Sequence, residues 1–158
     1  MIFITLGSQK FQFNRLLKAV DEQAGEGRIK DPIFAQIGSS DYIPKNYSFK
    51  RFLNREDFSD CISKADVVIT HGGTGTIINA IKNGKKVIAV PRLSKYGEHV
   101  DDHQLQLIKQ FKELNLICEC RNCDKLWVAL NEVRRKQYGK YESNTYKIIE
   151  SIDEFIRG

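Results

Sequence analysis

Long apolar runs are absent from this sequence of 158 residues. No stretch approaches the roughly 20 consecutive apolar residues that a membrane-spanning helix needs. The amino end, MIFITLGSQ, has neither a basic start nor a long apolar segment, so we expect no secretion signal and a cytoplasmic location. Hydrophobic residues make up 41% and charged residues 28% of the chain, which is the balance of a globular protein rather than of a disordered one. We expect a single domain over residues 1–158.

Cysteine is sparse, and its spacing does not complete a common metal site. Three of the four cysteines form a C-x-C-x-x-C pattern: Cys118, Cys120 and Cys123. A structural zinc site usually takes four ligands, as two separated pairs or with histidines at a set spacing, and no fourth ligand is adjacent here. We expect a cluster of reduced, partly buried thiols and leave a metal clip as the alternative.

Strong charge of one sign is also lacking. Twenty-five basic residues against twenty acidic ones give a net charge of +5, which favours anionic partners such as phosphorylated ligands or acidic lipid. The excess is dispersed, with its densest run at residues 134–141, RRKQYGKY. Because no face of basic and aromatic residues is visible, we expect no nucleic-acid partner.

Short apolar runs alternate with helical patterns along the chain. Most of these runs are continuous, as in strands that are covered on both faces. The predicted strands are residues 2–6, 33–37, 48–53, 67–70, 87–90 and 116–119, and helical patterns lie at 11–23, 55–65, 73–84, 101–115, 125–136 and 142–156. This order predicts an α/β fold, a Rossmann-like parallel sheet flanked by helices, with a helical C-terminal segment over about 124–158. Ligands bind such sheets at the carboxyl ends of the strands.

The sequence H-G-G-T-G-T, residues 71–76, stands where the fourth predicted strand gives way to a helix. Glycines that open a helix expose backbone N–H groups, and the helix dipole adds positive potential, so a phosphate is well received there. A tight turn without a ligand explains the glycines equally well. His71, directly before them, needs a reason of its own.

Two familiar phosphate-binding motifs are missing. A Walker loop needs G-x-x-x-x-G-K-[ST], which the chain does not contain. A dinucleotide fingerprint needs a third glycine and an acidic residue at the end of the next strand, where this chain has Pro91 and Arg92. A diphosphate is therefore a better partner for His71 than a nicotinamide cofactor.

Two further loops lie at the same edge of the predicted sheet. The loop and helix start PRLSKYGEHVDDHQ, residues 91–104, follows a strand end, where specificity residues usually lie. Asp101 and Asp102 suit helix capping, while His103 and Gln104 could hold sugar hydroxyls and His99 is either a site residue or solvated. The turn at residues 7–9 is a second glycine turn, whose serine could reach a phosphate oxygen.

Together these motifs resemble the donor-binding half of GT-B glycosyltransferases, and in particular the carboxyl-terminal domain of glycosyltransferase family 28. The order is G-S-Q after the first strand, then H-G-G-T-G-T, a strand ending in proline, and D-H-Q. Such enzymes bind a nucleotide sugar between two Rossmann-like domains, and this chain resembles one of the two. It looks most like the small soluble subunits of two-chain enzymes, those of bacterial capsule and exopolysaccharide synthesis, and is similar to that of dolichol-linked GlcNAc transfer.

The resemblance implies a set of donor-binding residues. His71 would lie against the donor diphosphate, His103 and Gln104 against the sugar, and residues 52–53 against the uracil. Asn79 stands where many relatives carry a ribose-binding glutamate. The full implied set is Gly7, Ser8, Gln9, Phe52, Leu53, His71, Gly72, Gly73, Thr74, Gly75, Thr76, Asn79, Asp102, His103 and Gln104.

The implied reaction is an inverting transfer of a hexose, with galactose favoured, from a UDP-sugar to a lipid-pyrophosphate-linked saccharide. The helix N-terminus, hydroxyl groups and a charged His71 would stabilise the departing UDP, so we expect no metal or other cofactor. The general base is expected from the partner chain, with Glu98 or His99 as candidates within this one. A UDP-GlcNAc or UDP-glucuronate donor, or a non-catalytic nucleotide-binding module, are the alternatives.

The resemblance also implies a membrane-anchored, acceptor-binding partner that recruits the chain to the inner face of the membrane. We expect this partner to dock on exposed apolar surface near the carboxyl-terminal helices. Tyr138, Tyr141 and Tyr146, with their neighbouring lysines, are the predicted contact with the partner or with anionic lipid. A solvated helix pair that closes the fold is the alternative.

Overall fold

A computed structural model describes residues 1–7 and 9–140, and within them six strands form one parallel sheet. The strands are β1 Ile2–Thr5, β2 Ile33–Gln36, β3 Ser48–Lys50, β4 Val67–Thr70, β5 Lys86–Ala89 and β6 Cys118–Glu119. Their order across the sheet is β3-β2-β1-β4-β5-β6. The direction of the winding therefore reverses between β1 and β4, and the predicted parallel α/β sheet is confirmed.

Helices cover both faces of the sheet, and they connect successive strands except β2 and β3. They are α1 Asn14–Gly25, α2 Arg55–Lys64, α3 Thr74–Lys82, α4 His103–Glu113 and α5 Leu126–Arg135. Short 3₁₀ turns lie at Ser94–Tyr96 and Cys123–Lys125. Among the described residues, none of the helices has the length and apolar character that a membrane crossing requires. The helix predicted over 142–156 lies outside the described residues.

Each face of the sheet carries its own hydrophobic core, because successive strand side chains point to opposite faces. In β1, Ile2 and Ile4 belong to one core and Phe3 to the other. The first core is completed by residues of α1 and α5, and the second by residues of α3 and α4. Both cores are continuous with the sheet, which explains why its strands read as unbroken apolar runs.

Several predicted element ends are wrong, and for three of them the folded chain shows a cause. The helix α1 begins at Asn14 because the carbonyl groups of Phe11 and Gln12 accept hydrogen bonds from an arginine elsewhere in the chain. The strand β6 is short because the Leu116 N–H donates to the Phe111 carbonyl and so closes the end of α4. The strand β3 ends at Lys50, opposite Gln36 and shortly before Gly38 turns the neighbouring chain with a φ of +57°.

Candidate functional site

Two glycine turns meet at the carboxyl edge of the sheet. Strands β1 and β4 are parallel neighbours with Thr5 opposite Thr70, so the turns that follow them lie side by side. The Thr70 hydroxyl donates to the Thr5 carbonyl at 2.9 Å and ties the two strand ends together. Gly7 has a φ of +73°, which favours glycine there. This is the point where the winding of the sheet reverses, the usual ligand crevice of such folds.

The imidazole of His71 fills the space between the two turns. A Cβ atom on Gly7 would lie 2.8 Å from His71 Nε2, and one on Gly73 would lie 2.5 Å from His71 Cε1. Both distances are shorter than real contacts allow, so only glycine at these positions leaves room for the ring. His71 is consequently 5% exposed. The room that the His71 ring needs thus explains the glycines at these two positions, whether or not a phosphate binds there.

Gln104, in the first turn of α4, connects the turn after β4 to the end of β5. Its Oε1 accepts hydrogen bonds from the Gly72 and Arg92 backbone N–H groups, both at 3.2 Å. Its Nε2 lies 3.3 Å from His71 Nδ1. The side chain is buried, and a Cβ on Gly72 would approach it to 2.7 Å. Gln104 was expected to hold a sugar hydroxyl, but its amide oxygen is already engaged with the backbone.

The charge predicted for His71 is wrong. Burial, reinforced by the nearby Arg92 guanidinium, lowers the pKa of His71 to about 3. At neutral pH the imidazole is uncharged, so it can donate one hydrogen bond but adds no net positive charge.

Arg92 lies at the same carboxyl edge of the sheet and was not predicted from the sequence as a site residue. It is 1% exposed, and its guanidinium donates to four backbone carbonyls that line the edge. The acceptors are the carbonyl oxygens of Leu6 at 2.6 Å, Phe11 and Gln12 at 3.1 Å each, and Glu98 at 3.2 Å. Burial lowers the pKa of Arg92 to about 10, so the group stays charged at neutral pH. An arginine after a strand-ending proline carries no sequence signal for this role.

Glu98 is not a candidate base, which corrects the prediction made from its loop position. The side chain is 1% exposed. Its two oxygens accept from Arg15 Nε and Nη2, each at 3.0 Å, and one also accepts from the Leu93 N–H at 3.0 Å. A carboxylate enclosed in this way cannot reach a substrate hydroxyl. Instead it fastens the loop after β5 to α1.

A shallow cavity of about 270 Å³ lies beside the glycine turns. Asp101 sits between two histidines in it, with Oδ1 3.3 Å from His99 Nδ1 and Oδ2 3.5 Å from His103 Nδ1. The His99 ring packs against Phe11, with 5.4 Å between ring centroids. The cavity lining consists of Gln9, Gly72, His99, Asp101, His103, Gln104 and Leu107. His99 is thus partly buried and is not a freely solvated loop residue.

The capping prediction holds for one aspartate of the pair at the start of α4. Asp101 Oδ1 accepts from the His103 N–H at 3.0 Å. Asp102 occupies the N-cap position, but its side chain makes no capping bond and accepts from Ser94 N and Oγ, at 2.9 and 3.1 Å. The backbone hydrogen bond from Ser94 lowers the pKa of the Asp102 carboxyl. Asp102 therefore stabilises the 3₁₀ turn, and its predicted contact with the nucleotide sugar stays a prediction.

The first turn of α3 offers an unsatisfied hydroxyl. Thr74 Oγ1 is buried and has no hydrogen-bond partner, which is costly for a polar group. It stands at the helix N-terminus, where backbone N–H groups also lack partners within the helix. Gly75 and Thr76 continue this turn, and Gly75 is exposed. The turn consequently offers hydrogen-bond donors that can bind an anionic group.

The remaining predicted residues are less closely gathered. Phe52 is exposed and Leu53 half-buried, and they follow β3, two strand spacings or roughly 10 Å from β1 at the same edge. Asn79 is exposed on α3, and its side-chain oxygen accepts from Asn83 within that helix at 2.9 Å. Gln9 lines the cavity, whereas Ser8 lies outside the described residues.

The cysteine cluster is buried on the α1 and α5 side of the sheet. Cys118, Cys120 and Cys123 are free thiols. Burial raises the pKa of Cys120 to about 12 and that of Cys123 to about 11, so these groups are protonated at neutral pH. Within residues 1–7 and 9–140, no three His, Cys, Asp or Glu side chains are arranged to hold a metal ion. The expectation that the reaction needs no metal stays a prediction.

The surface predicted for docking is only partly described. Tyr138 packs against the first core, and Lys86 Nζ and Lys136 Nζ lie 5.2 and 5.3 Å from its ring centroid. A cavity of about 490 Å³, larger than that at the glycine turns, lies beside it at the amino edge of the sheet and is lined in part by Gly139 and Lys140. Tyr141 and Tyr146 lie outside the described residues. Docking at this surface stays a prediction.

Comparison with known proteins identifies the family. The model of the glycosyltransferase family 28 C-terminal domain matches residues 1–156. The chain belongs to this family. The human UDP-N-acetylglucosamine transferase subunit ALG13 is 28% identical over 131 residues, which cover 76% of this chain and 11% of that protein. The family 28 domain described here thus spans about a tenth of the length of this relative.

Solved structures confirm the fold of the family 28 domain. A solution structure of ALG13 matches with a TM-score of 0.62 at 18% identity, covering 99% of this chain and 96% of that one. The calicheamicin glycosyltransferase CalG4 matches with a TM-score of 0.60 at 15% identity, covering 99% of this chain but 39% of that one. The chain therefore has the Rossmann-like fold of one half of a GT-B glycosyltransferase.

Proposed function

We propose that this domain is the catalytic, donor-binding subunit of a two-chain glycosyltransferase and that it binds a UDP-sugar at the paired glycine turns. The observation that carries the proposal is the buried, unpartnered hydroxyl of Thr74 at the N-terminus of α3, next to His71. A diphosphate placed there would satisfy the hydroxyl and the free N–H groups of the helix. Membership of the family supports the same assignment.

The rest of the donor would extend from the diphosphate in two directions along the edge. The uracil would lie toward Phe52 and Leu53, roughly 10 Å from β1. The sugar would occupy the cavity of about 270 Å³, where His103 and Gln9 carry the polar groups nearest to solvent. Negative charge that develops on the departing UDP would be stabilised by the helix dipole, the Thr74 hydroxyl and a neutral His71.

The identity of the sugar is the finer part of the proposal. The relative cited above is named as a UDP-N-acetylglucosamine transferase subunit, so UDP-GlcNAc is the first donor to test. UDP-galactose follows from the resemblance to the capsule and exopolysaccharide enzymes, and UDP-glucuronate completes the series. The ranking of these three donors would decide between an exopolysaccharide role and a GlcNAc transfer role.

A second chain would supply the acceptor site. The fold is one half of a GT-B enzyme, and the relative is named as a subunit. We propose a membrane-anchored partner that binds a lipid-linked saccharide and recruits this domain to the inner face of the membrane. Co-purification with the partner, and transfer to a lipid-linked acceptor only in its presence, would test this.

His99 is the residue within this chain proposed as general base. His99 Nδ1 faces both an acceptor and a donor of Asp101, since Oδ1 lies 3.3 Å away and the backbone N–H donates to the ring nitrogen at 3.4 Å. As general base, His99 would carry its proton on Nδ1, directed to Oδ1, and would accept the proton of the acceptor hydroxyl at Nε2. His99→Asn should lower the transfer rate about 100-fold or more with little change in UDP affinity. Transfer within a few-fold of the parent would assign the base to the partner chain.

A pair of threonine variants tests the donor site. Thr74→Val removes the unpartnered hydroxyl, so it should leave the free energy of unfolding unchanged or raise it, yet weaken UDP binding about tenfold or more. Thr70→Val is the matched control, since it removes the hydroxyl that donates to Thr5 at 2.9 Å and should lower stability. His71→Ala should likewise reduce UDP binding and transfer without unfolding the domain. Unchanged UDP affinity in Thr74→Val would refute the proposed diphosphate site.

A further inference from the structure

We propose that Gln104 is a positioning residue that holds His71 in the tautomer with its proton on Nε2, so that a neutral imidazole presents an N–H donor at the Gly7 turn. The identity of the group that receives this donor, a phosphate oxygen, rests on the proposed function. The tautomer itself does not, because it follows from contacts within the chain.

The first step is the orientation of the Gln104 amide. Two backbone N–H groups, of Gly72 and Arg92, point at the same side-chain atom, each at 3.2 Å. Only the carbonyl oxygen can accept both, since the rotated amide would set its own NH₂ donor against two donors. The oxygen is therefore fixed on that side, and the NH₂ group faces His71.

The second step is the position of the histidine proton. Gln104 Nε2 lies 3.3 Å from His71 Nδ1, and an amide NH₂ group can only donate. His71 Nδ1 must accept, so the single proton of the neutral ring is on Nε2. That nitrogen faces the Gly7 turn, where a Cβ atom would stand 2.8 Å away. The donor is thus directed into the space between the two turns.

The surrounding charges keep the ring in this neutral form. The titratable groups that act on His71 are the Arg92 guanidinium and His99 in the loop after β5. Both disfavour a second proton, and no carboxylate of residues 1–7 and 9–140 acts on the ring to favour one. Gln104 therefore selects between two neutral tautomers, a choice that burial alone leaves open. An oriented donor of this kind needs no rearrangement when a ligand arrives.

Nitrogen NMR of the histidine rings in the nucleotide-free protein measures the tautomer directly. The chain has three histidines, so the signals are assigned by single substitutions. We expect His71 to show an unprotonated Nδ1 and a protonated Nε2, unchanged between pH 8 and pH 5. A proton on Nδ1 in the parent protein would overturn the proposal without any variant.

Two variants then test the role of Gln104. In Gln104→Glu the side chain can only accept, so His71 Nδ1 should gain a proton. In Gln104→Met, of similar length, the restraint is lost and both tautomers should appear. A parent-like His71 pattern in both folded variants would overturn the positioning role, with His99 as an internal reference for each spectrum. If either variant fails to fold, the parent spectrum and the other variant still decide.

UDP addition separates this inference from the proposed function. If the positioning role and the proposed UDP site are both correct, UDP should shift the His71 Nε2 signal, and Gln104→Met should bind UDP about tenfold more weakly. The predicted tautomer without any UDP response would refute the donor site and leave the positioning role intact. UDP binding to a protein whose His71 proton is on Nδ1 would refute the positioning role and leave the donor site intact.

Discussion

Replacement of His71 by asparagine should remove a pH dependence of folding that the imidazole creates. The pKa of His71 is about 3 in the folded protein, against 6.5 for an ordinary histidine. Between these two values the unfolded chain binds a proton that the folded chain does not, so stability is full above pH 6.5 and falls as the pH falls. From pH 7 to pH 5 the loss amounts to about 2 kcal/mol, and it changes little for any folded pKa below about 4.

The asparagine variant isolates this effect from the other titrating groups. Its side-chain oxygen can take the place of Nδ1 as acceptor for Gln104 Nε2, and it does not titrate. Urea unfolding of both proteins, followed by circular dichroism at pH 7, 6 and 5, gives the free energy of unfolding of the parent minus that of the variant. That difference should fall by about 2 kcal/mol over this range. A difference constant to within about 0.5 kcal/mol would refute the buried, neutral histidine.

Four further substitutions test the structure of the site by thermal or urea unfolding. Arg92→Leu leaves four carbonyls without their donor and should lower the free energy of unfolding by about 3–5 kcal/mol. An unchanged melting temperature would contradict a stabilising role of these four hydrogen bonds. Gly73→Ala should lower the free energy of unfolding by about 1–3 kcal/mol, because its Cβ would lie 2.5 Å from His71 Cε1. Gly75→Ala should leave this free energy unchanged or raise it, because its Cβ would have no other atom within 4 Å. Equal effects of the two exchanges would argue against the ring position. Glu98→Gln should destabilise by about 3 kcal/mol, and a stable but inactive variant would restore Glu98 as a base.

The sheet could be predicted from the sequence because its strands are buried on both faces. Continuous runs such as VVIT in β4 and the alternation with helices sufficed for the parallel α/β architecture. Element ends depended on contacts that no local pattern encodes. The start of α1 is set by Arg92, which follows it by some 80 residues in the chain and takes the Phe11 and Gln12 carbonyls.

The site was predicted in part. The glycine turns and the loop after β5 were located correctly, since they follow strands that end at one edge. The charge of His71 and the availability of Glu98 were not, because both depend on burial and on partners from distant segments. Gln104 has a sequence position typical of a sugar contact, yet the orientation of its amide is decided by two backbone N–H groups that only the folded chain brings together.

The central claim is that the paired glycine turns bind the diphosphate of a nucleotide sugar. Calorimetric titration of the parent and of Thr74→Val with UDP, the three UDP-sugars and NAD tests it most directly. We expect uridine-selective binding to the parent and UDP affinity weakened about tenfold or more in the variant. Binding of NAD in preference to UDP, or equal UDP affinity in the two proteins, would contradict it.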